Sequence, residues 1–393
     1  MQRKLQKDLT IIRISVLTLL GGATNYLFHI LVARSLGPIK YGEVATTLGI
    51  MSIITTSGIV FQTSASKQTV ISLDNSPRMG IDQFSRNLTR GAIFTFLTVL
   101  LLSPLLANFL HLSPLLFLPV ALFSFPALHE SLATGRLQGM NRYETTAIYS
   151  FVQSLAKLCA IGVSVAIGAS TFGLISIIVV FATLIVIHEI RKTSHGPAIQ
   201  MAFTDSVILK QLFVVVMILI TQSLDVPLAR FSLGELEAGK FVAASQLGKI
   251  TLVLPFMLAQ FAFPQLVKDS LSGVRTTFNR VIMEILLAST AVSLTLILFH
   301  ETIVSIILGN EFASSSAVTW QMSLAFTPLS LANLFLLDCV AKGRIRHYMH
   351  VGLAPIILIV MVIIFPGNIS MLVASCFIST LLFLFLTLRI SHD

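Results

Sequence analysis

Residues 33–42 read ARSLGPIKYG, and residues 229–239 read ARFSLGELEAG. Both copies contain Leu-Gly, four further residues and a second glycine, and about half the chain length separates them. Each copy lies between two long apolar runs, which is the place of a turn between two membrane helices. Glycine suits such a turn because it tolerates positive φ and close helix approach. The repeat therefore predicts a chain built from two duplicated halves.

The composition indicates a lipid environment. Hydrophobic residues make up 55% and charged residues 11% of the 393 residues, whereas a soluble domain carries roughly 25% charged residues. The formal net charge of +9 comes mainly from basic residues in short loops, where they set membrane topology, so we expect no nucleic-acid partner. The three cysteines, Cys159, Cys339 and Cys376, lack the spacing of a metal site and the placement of an external disulfide.

The apolar runs predict twelve membrane spans, because a spanning helix needs about 20 mostly apolar residues. The predicted spans cover residues 11–33, 43–66, 88–110, 114–135, 146–168, 171–190, 207–229, 240–266, 280–300, 318–341, 348–365 and 369–389. The eighth run contains Pro255 and Pro264, so we expect a kink or tilt there.

Basic residues alternate between the connections of these spans. Connections on one side hold most of the lysines and arginines. The other side holds Arg34, Lys40, Arg230 and Lys240. This asymmetry places both termini in the cytoplasm. Six spans per half is an even number, so we predict an all-α membrane protein with twelve transmembrane helices in two six-helix lobes, residues 1–195 and 196–393, related by a pseudo-two-fold axis along the membrane normal.

The sequence contains no motif of a nucleotide-binding or catalytic site. There is no Walker A pattern, no pair of histidines at metal spacing and no nucleophile-elbow glycine pattern. We therefore predict no enzymatic activity, no catalytic residue, no metal site and no cofactor. Function is expected from polar residues at membrane depth, which is where transporters carry it.

Span five carries a lysine on a polar helical face. Ser150, Gln153, Ser154 and Lys157 follow one another at spacings of three and four residues. A lysine near mid-membrane costs about 2.5–3.5 kcal/mol on insertion scales, a cost tolerated where the ammonium meets water, an anion or a counter-charge. We favour a hydrated cavity around Lys157. The alternatives are a lysine that snorkels to the interface or one that holds helices together in an ion pair.

Four further polar residues within spans are candidates for the same cavity or for coupling. Lys249, the other lysine inside a span, either faces the cavity or reaches the interface from a tilted helix. Asn25 and His29 share a stripe on span one and either hydrogen-bond a substrate or support helix packing. Asp225 in span seven is our coupling-ion candidate, for a proton or a cation. It could also pair with a lysine or be an interfacial acid.

Three charged residues lie close to span ends. Glu130 and Asp338 each precede a Gly-Arg pair by five residues, and we favour structural ion pairs or gate contacts for both. Arg34 lies at the outer turn, where it is either an interface anchor or a contact for a phosphate-bearing substrate.

The chain resembles the polysaccharide flippases, the Wzx-type transporters, of the multidrug/oligosaccharidyl-lipid/polysaccharide exporter superfamily. The resemblance covers the whole chain and rests on LVARSLGPIKYGEVATTLGIM (31–51), LGELEAGKFVAASQLGKI (233–250) and FAFPQLVK (261–268), with twelve spans in this length. It implies a substrate, an undecaprenyl-pyrophosphate-linked oligosaccharide, that moves from the cytoplasmic to the outer leaflet of the bacterial inner membrane by alternating access. Membrane lipids and other polysaccharide-assembly proteins are the implied partners.

The resemblance also implies a cationic cavity between the lobes. Lys157 is the best match for it, and Lys249 and Arg34 are weaker matches. Two other functions stay open from the residues. One is a proton- or sodium-coupled drug or metabolite antiporter of the same superfamily. The other is a membrane glycosyltransferase or ligase that uses the same lipid carrier, against which the short outer loops count.

Overall fold

All regular structure in the described part of the chain is helical. A computed structural model of the chain describes residues 2–74, 82–193, 206–272, 276–341 and 348–392. The α-helices α1 to α13 follow one another, with three short 3-10 helices between them. The predicted all-α class is confirmed.

The helices group into two compact units. Unit 1 consists of Met1–Ser35 and Ile50–Thr204, and unit 2 of Leu36–Gly49 and Asp205–Asp393. Helix α1 (Gln2–Asp74) contributes to both units. Unit 1 also contains α2 (Asp82–Phe109), α3 (Phe117–Gly139), α4 (Tyr143–Ala166) and α5 (Thr171–Thr193). Unit 2 contains α6 (Ser206–Ser223), α7 (Asp225–Ser232), α8 (Glu235–Gly248), α9 (Ile250–Ser272), α10 (Thr276–Ile307), α11 (Ser316–Ala341), α12 (Leu353–Ile364) and α13 (Ile369–His392). The predicted boundary between residues 195 and 196 lies outside the described residues and stays a prediction.

Apolar side chains cover the outside of the helices. On α2, Phe94 is 73% exposed and Leu101 is 81% exposed. On α3, which packs between α2 and α5, Ser124 and Ser131 are buried. Exposed leucine and phenylalanine side chains with buried hydroxyl groups are the arrangement that a lipid environment favours. In lipid, backbone and polar groups must find their hydrogen-bond partners inside the protein.

The helices have the lengths that a bilayer requires. Nine of the described helices are long and apolar enough to cross a membrane, and ten if the bent pair Phe213–Ser223 and Asp225–Ser232 counts as one span. One of the nine, Ile12–Ser66, contains two of the predicted spans, and a shorter apolar helix covers Met349–Ile364. Helical residues thus make up most of each of the twelve predicted spans, with spans seven and eight each divided between two helices, and the chain is a multi-pass membrane protein.

The first copy of the repeated glycine motif is a kink within α1. Gly37 has φ 73° and ψ 175° inside an otherwise helical segment, and Pro38 follows it. A side chain at this φ would be strained, so glycine is required here. The second copy differs, since Gly234 precedes α8 with φ −62°. The positive φ that the motif predicts is therefore present in one copy.

The two glycine motifs pack against each other within unit 2. A Cβ atom on Gly42 would lie 2.9 Å from the Cα of Gly239, and a Cβ on Gly239 would overlap the carbonyl group of Pro38. Glycine at both positions therefore allows the 36–49 segment to contact α8 backbone to backbone. The predicted close approach of helices at this motif is confirmed.

Two helices of unit 2 are interrupted at charged residues. The α6–α7 pair bends by 41° just before Asp225, and α8 ends at Gly248 and α9 begins at Ile250, with Lys249 between them. The kink or tilt expected at Pro255 and Pro264 stays a prediction. The residue between the two helices, Lys249, lies six residues before Pro255. Helix interruptions free backbone groups and let side chains converge, which is why they often mark sites in transporters.

Glycines on α3 set its distance from α1 in unit 1. Cβ atoms on Gly135 and Gly139 would overlap the backbone carbonyl groups of Gln62 and Ser66. The two glycines are one helical turn apart, so they form a flat strip along which α1 lies directly on α3. This contact positions the part of α3 that carries Glu130, five residues before Gly135.

Candidate functional site

Three helices of unit 1 converge around Lys157. Lys157 and Gln153 lie one turn apart on α4 and share a face. The Lys157 ammonium donates to the Asn25 side-chain oxygen on α1 at 3.5 Å, and the Gln153 side chain lies beside the Glu130 carboxylate on α3. The structure therefore brings together Asn25, Gln153 and Lys157, which the sequence proposed as cavity residues, and adds Glu130 to them.

The Lys157 ammonium has no direct ion pair in the part of the chain that the structure describes. Among these residues no carboxylate oxygen lies within 4.0 Å of it, although Glu130 attracts it electrostatically from further away. Both Lys157 and Glu130 are half-buried. The hydrogen-bond partner of the positive charge is thus an amide oxygen at the outer limit of a hydrogen bond.

Glu189 is a second acidic residue of this region, and the sequence reasoning missed it. It lies on α5, is fully buried and accepts a hydrogen bond from the Thr134 hydroxyl at 3.4 Å. Its position next to Arg191 and Lys192 makes it resemble an ordinary span-end acid. The available signal was an acid inside an apolar run, the same signal that identified Asp225.

His29 and Arg34 lie further along α1 than Asn25. His29 is half-buried and its ring meets Phe28 edge-on at 5.4 Å between centroids. Arg34 is exposed and comes near the end of the part of α1 that belongs to unit 1. At 1.5 Å per residue, the rise from Asn25 to Arg34 is about 14 Å along the helix. Arg34 is therefore not part of the cluster around Lys157, whereas His29 lies one helical turn from Asn25, and both residues stay predictions as substrate contacts.

Lys249 lies in a closed ion pair in unit 2. Its ammonium is 2.7 Å from one Asp225 carboxylate oxygen, and the Ser245 hydroxyl donates to the other at 2.5 Å. The Lys249 ammonium also lies 5.3 Å from the centre of the Phe326 ring. The side chains of Lys249 and Asp225 are 11% and 1% exposed. Of the alternatives open from sequence, the structure shows Asp225 paired with a lysine.

This pairing satisfies Asp225 from within the protein. Both of its carboxylate oxygens have protein donors, so in this conformation Lys249 supplies the positive charge that Asp225 requires. The assignment of Asp225 to a coupling ion, and of Lys249 to the substrate cavity, stays a prediction. Among the described residues no group of three or more His, Cys, Asp or Glu side chains is placed to hold a metal ion.

A buried arginine stands between the two glycine motifs of unit 2. Arg230 is 0% exposed, and its guanidinium lies 3.4 Å from the Glu235 carboxylate. Glu43 also attracts it electrostatically. The sequence placed Arg230 at the outer turn. The guanidinium thus lies beside Glu235 and next to Gly42 of the 36–49 segment, where that segment packs against α8.

Comparison with known proteins identifies the fold. No family model matches the chain, and no curated protein matches it. A solved MATE family multidrug resistance transporter of the MOP superfamily, in an inward-facing conformation, aligns with a TM-score of 0.66 over 98% of both chains at 12% identity.

Two further solved structures align at similar levels. The lipid II flippase MurJ, in an inward closed conformation, aligns with a TM-score of 0.69 at 14% identity over 96% of this chain and 87% of its own. The MATE multidrug transporter DinF-BH aligns with a TM-score of 0.58 at 14% identity over 98% of this chain and 94% of its own. At these identities the likeness concerns the fold. The chain therefore has the two-lobe helical fold of MOP-superfamily transporters.

Proposed function

We propose that the chain is a flippase that moves an undecaprenyl-pyrophosphate-linked oligosaccharide from the cytoplasmic to the outer leaflet of a bacterial inner membrane by alternating access. The observation that carries this proposal is the half-buried Lys157 ammonium, which has no carboxylate within 4.0 Å among the described residues. A diphosphate is the anionic part of such a substrate, and its oxygens can contact the Lys157 ammonium directly, which no carboxylate of the described residues does.

The neighbours of Lys157 suit the rest of the substrate head group. Asn25 and Gln153 carry amides, which both donate and accept hydrogen bonds and so match sugar hydroxyls. The polyprenyl tail would remain in the bilayer, where the apolar outer faces of the helices meet lipid. The lipid II flippase among the similar structures transports a lipid-linked substrate on the same fold, which supports this substrate class as a proposal for this chain.

The predicted topology completes the proposal. With both termini in the cytoplasm, the basic connections face the leaflet from which the substrate is taken. The lobes 1–195 and 196–393 would move relative to each other during transport. Membrane lipids and polysaccharide-assembly proteins are the proposed partners, and we propose no enzymatic activity.

The test is the accumulation of lipid-linked glycan in cells that depend on this chain for surface polysaccharide. Lys157→Ala should cause accumulation on the cytoplasmic side, and Lys157→Arg should retain part of the activity because it keeps the positive charge. Lys192→Ala, which removes an exposed lysine at the end of α5, is the matched control. Full activity of Lys157→Ala at equal expression would remove Lys157 from the mechanism.

A second candidate is a proton- or sodium-coupled antiporter for drugs or metabolites. The likeness to MATE multidrug transporters favours it, as do the buried acids Asp225 and Glu189. Because the coupling-ion candidate Asp225 is already paired with Lys249 in this conformation, we rank this candidate second. Efflux of a cationic dye from cells expressing the chain, abolished by Asp225→Asn, would reverse the order.

A further inference from the structure

The charges around Lys157 do not balance when all of its neighbours are ionised. Glu130 and Glu189 lie close enough to interact electrostatically with each other, and Lys157 is the cation that acts on Glu130. Two carboxylates and one ammonium leave one negative charge in excess. An uncompensated charge in the interior of a membrane protein is costly, so the cluster requires one more positive charge.

Glu189 has one oxygen available to receive that charge. Its Oε1 atom accepts the hydrogen bond from Thr134, and its Oε2 atom is buried without a hydrogen-bond partner in the described part of the chain. The residue is 0% exposed. A proton can bind a buried carboxylate oxygen that lacks a hydrogen-bond donor, and its binding removes the buried negative charge.

The titratable groups around Glu189 come from three helices. Helix α3 contributes Glu130, helix α4 contributes Tyr149, and α5 itself carries His188, whose ring lies 6.3 Å from that of Tyr149. No ion pair joins Arg136 to Glu189 within 4.0 Å. Glu130 is therefore the titratable group through which Glu189 is linked to Lys157.

We propose that Glu189 and Glu130 form a proton-binding site, and that binding of a diphosphate at Lys157 draws a proton into it. The inference rests on the proposed function, because it requires the anion to bind at Lys157. When a diphosphate binds the Lys157 ammonium, the ammonium offsets less of the negative charge of Glu130. The excess negative charge of the cluster therefore rises. The proton affinity of the two carboxylates rises with it, and a proton passes from water to the half-buried Glu130 and on to Glu189.

The donor set favours a proton over a metal cation. A sodium or calcium ion requires several oxygen ligands, about six for calcium, whereas this site offers one unpartnered carboxylate oxygen beside a second carboxylate. The Thr134 hydroxyl donates its hydrogen bond to Glu189. Linkage is reciprocal, so a proton in the site must strengthen anion binding by the same factor by which the anion strengthens proton binding.

The experiment is calorimetric titration of the purified, detergent-solubilised chain with farnesyl diphosphate at neutral pH. Running it in two buffers of different ionisation enthalpy gives the number of protons taken up per anion bound. The wild-type protein should take up more protons than Glu189→Gln, by about one at most. Its Kd should also rise with pH more steeply than that of Glu189→Gln, by up to about tenfold per pH unit.

Control variants distinguish a failure of the proton-binding site from a failure of the proposed function. Titration of the diphosphate itself is common to all variants and cancels in the comparison. Glu284→Gln, on α10 with a side chain 35% exposed, should behave as wild type. If Glu189→Gln does not fold, Glu130→Gln should show the same loss of proton uptake. Equal proton uptake in the wild type and the folded variant overturns the inference, whereas unchanged binding to Lys157→Ala overturns the proposed function.

Discussion

Lys157 in unit 1 and Lys249 in unit 2 are both lysines inside predicted spans, and the structure surrounds them differently. The nearest polar partner of Lys157 is an amide oxygen at 3.5 Å, whereas Lys249 lies 2.7 Å from a buried carboxylate that a serine also satisfies. Depth in the membrane is therefore a poor guide to function. We infer that Lys249, whose charge is paired, stabilises the fold, and we propose Lys157, which has no direct ion pair among the described residues, as the ligand contact.

The largest expected effect comes from Lys249→Ala. The substitution leaves the Asp225 carboxylate, 1% exposed, without its cation, and breaking a buried pair in this way costs about 3–5 kcal/mol. The free energy of unfolding in detergent micelles should fall by that amount. A loss below about 1 kcal/mol would contradict the closed ion pair, since that is the value of an exposed one.

The double variant Lys249→Met, Asp225→Asn should recover most of this loss. It removes both charges together, and the asparagine amide oxygen that replaces the carboxylate can still accept the Ser245 hydrogen bond. We expect a free energy of unfolding within about 2 kcal/mol of the wild type, because apolar replacement of a whole buried pair is often close to neutral. Each single variant is the control. Strictly additive losses from the two single variants would show that the residues do not interact.

Lys157→Ala should change stability by less than about 1 kcal/mol, because it breaks no direct ion pair in the described residues. Thermal unfolding in the same detergent measures this beside Lys249→Ala. Equal destabilisation by the two substitutions would abolish the distinction between the two lysines, and would indicate that Lys157 is a structural residue.

The smallest effect is expected for Arg280→Ala. The Arg280 side chain is 78% exposed and lies 2.7 Å from Glu284 one turn away on α10, so the pair contributes about 0.3–0.5 kcal/mol. This variant sets the lower end of the scale on which the two buried lysines are compared. An effect as large as that of Lys249→Ala would mean that exposure does not control the value of these pairs.

Much of the fold could be predicted because hydrophobic length and charge alternation act locally. Most residues of each predicted span are helical, and the kink in α1 lies at Gly37, where glycine precedes proline. The interruption at Lys249 was not predicted from the sequence. It is accompanied by the ion pair to Asp225, which is a contact between residues distant in sequence.

The sequence could predict which residues of the candidate site share a face of one helix, but not which helices pack together. The spacing of Gln153 and Lys157 defines the polar face of α4, because helical period is a property of a single segment. Which helices oppose that face is a property of tertiary packing. The position of Glu130, the burial of Glu189 and the choice of Asp225 as the partner of Lys249 therefore required the structure.

The most direct test of the account is the affinity of the purified chain for farnesyl diphosphate, measured for wild type, Lys157→Ala and the exposed-lysine control Lys192→Ala. If the unpaired ammonium binds the diphosphate, Lys157→Ala should weaken binding at least about tenfold, which corresponds to about 1.4 kcal/mol, and Lys192→Ala should leave it unchanged. Equal affinity of all three proteins would contradict the account.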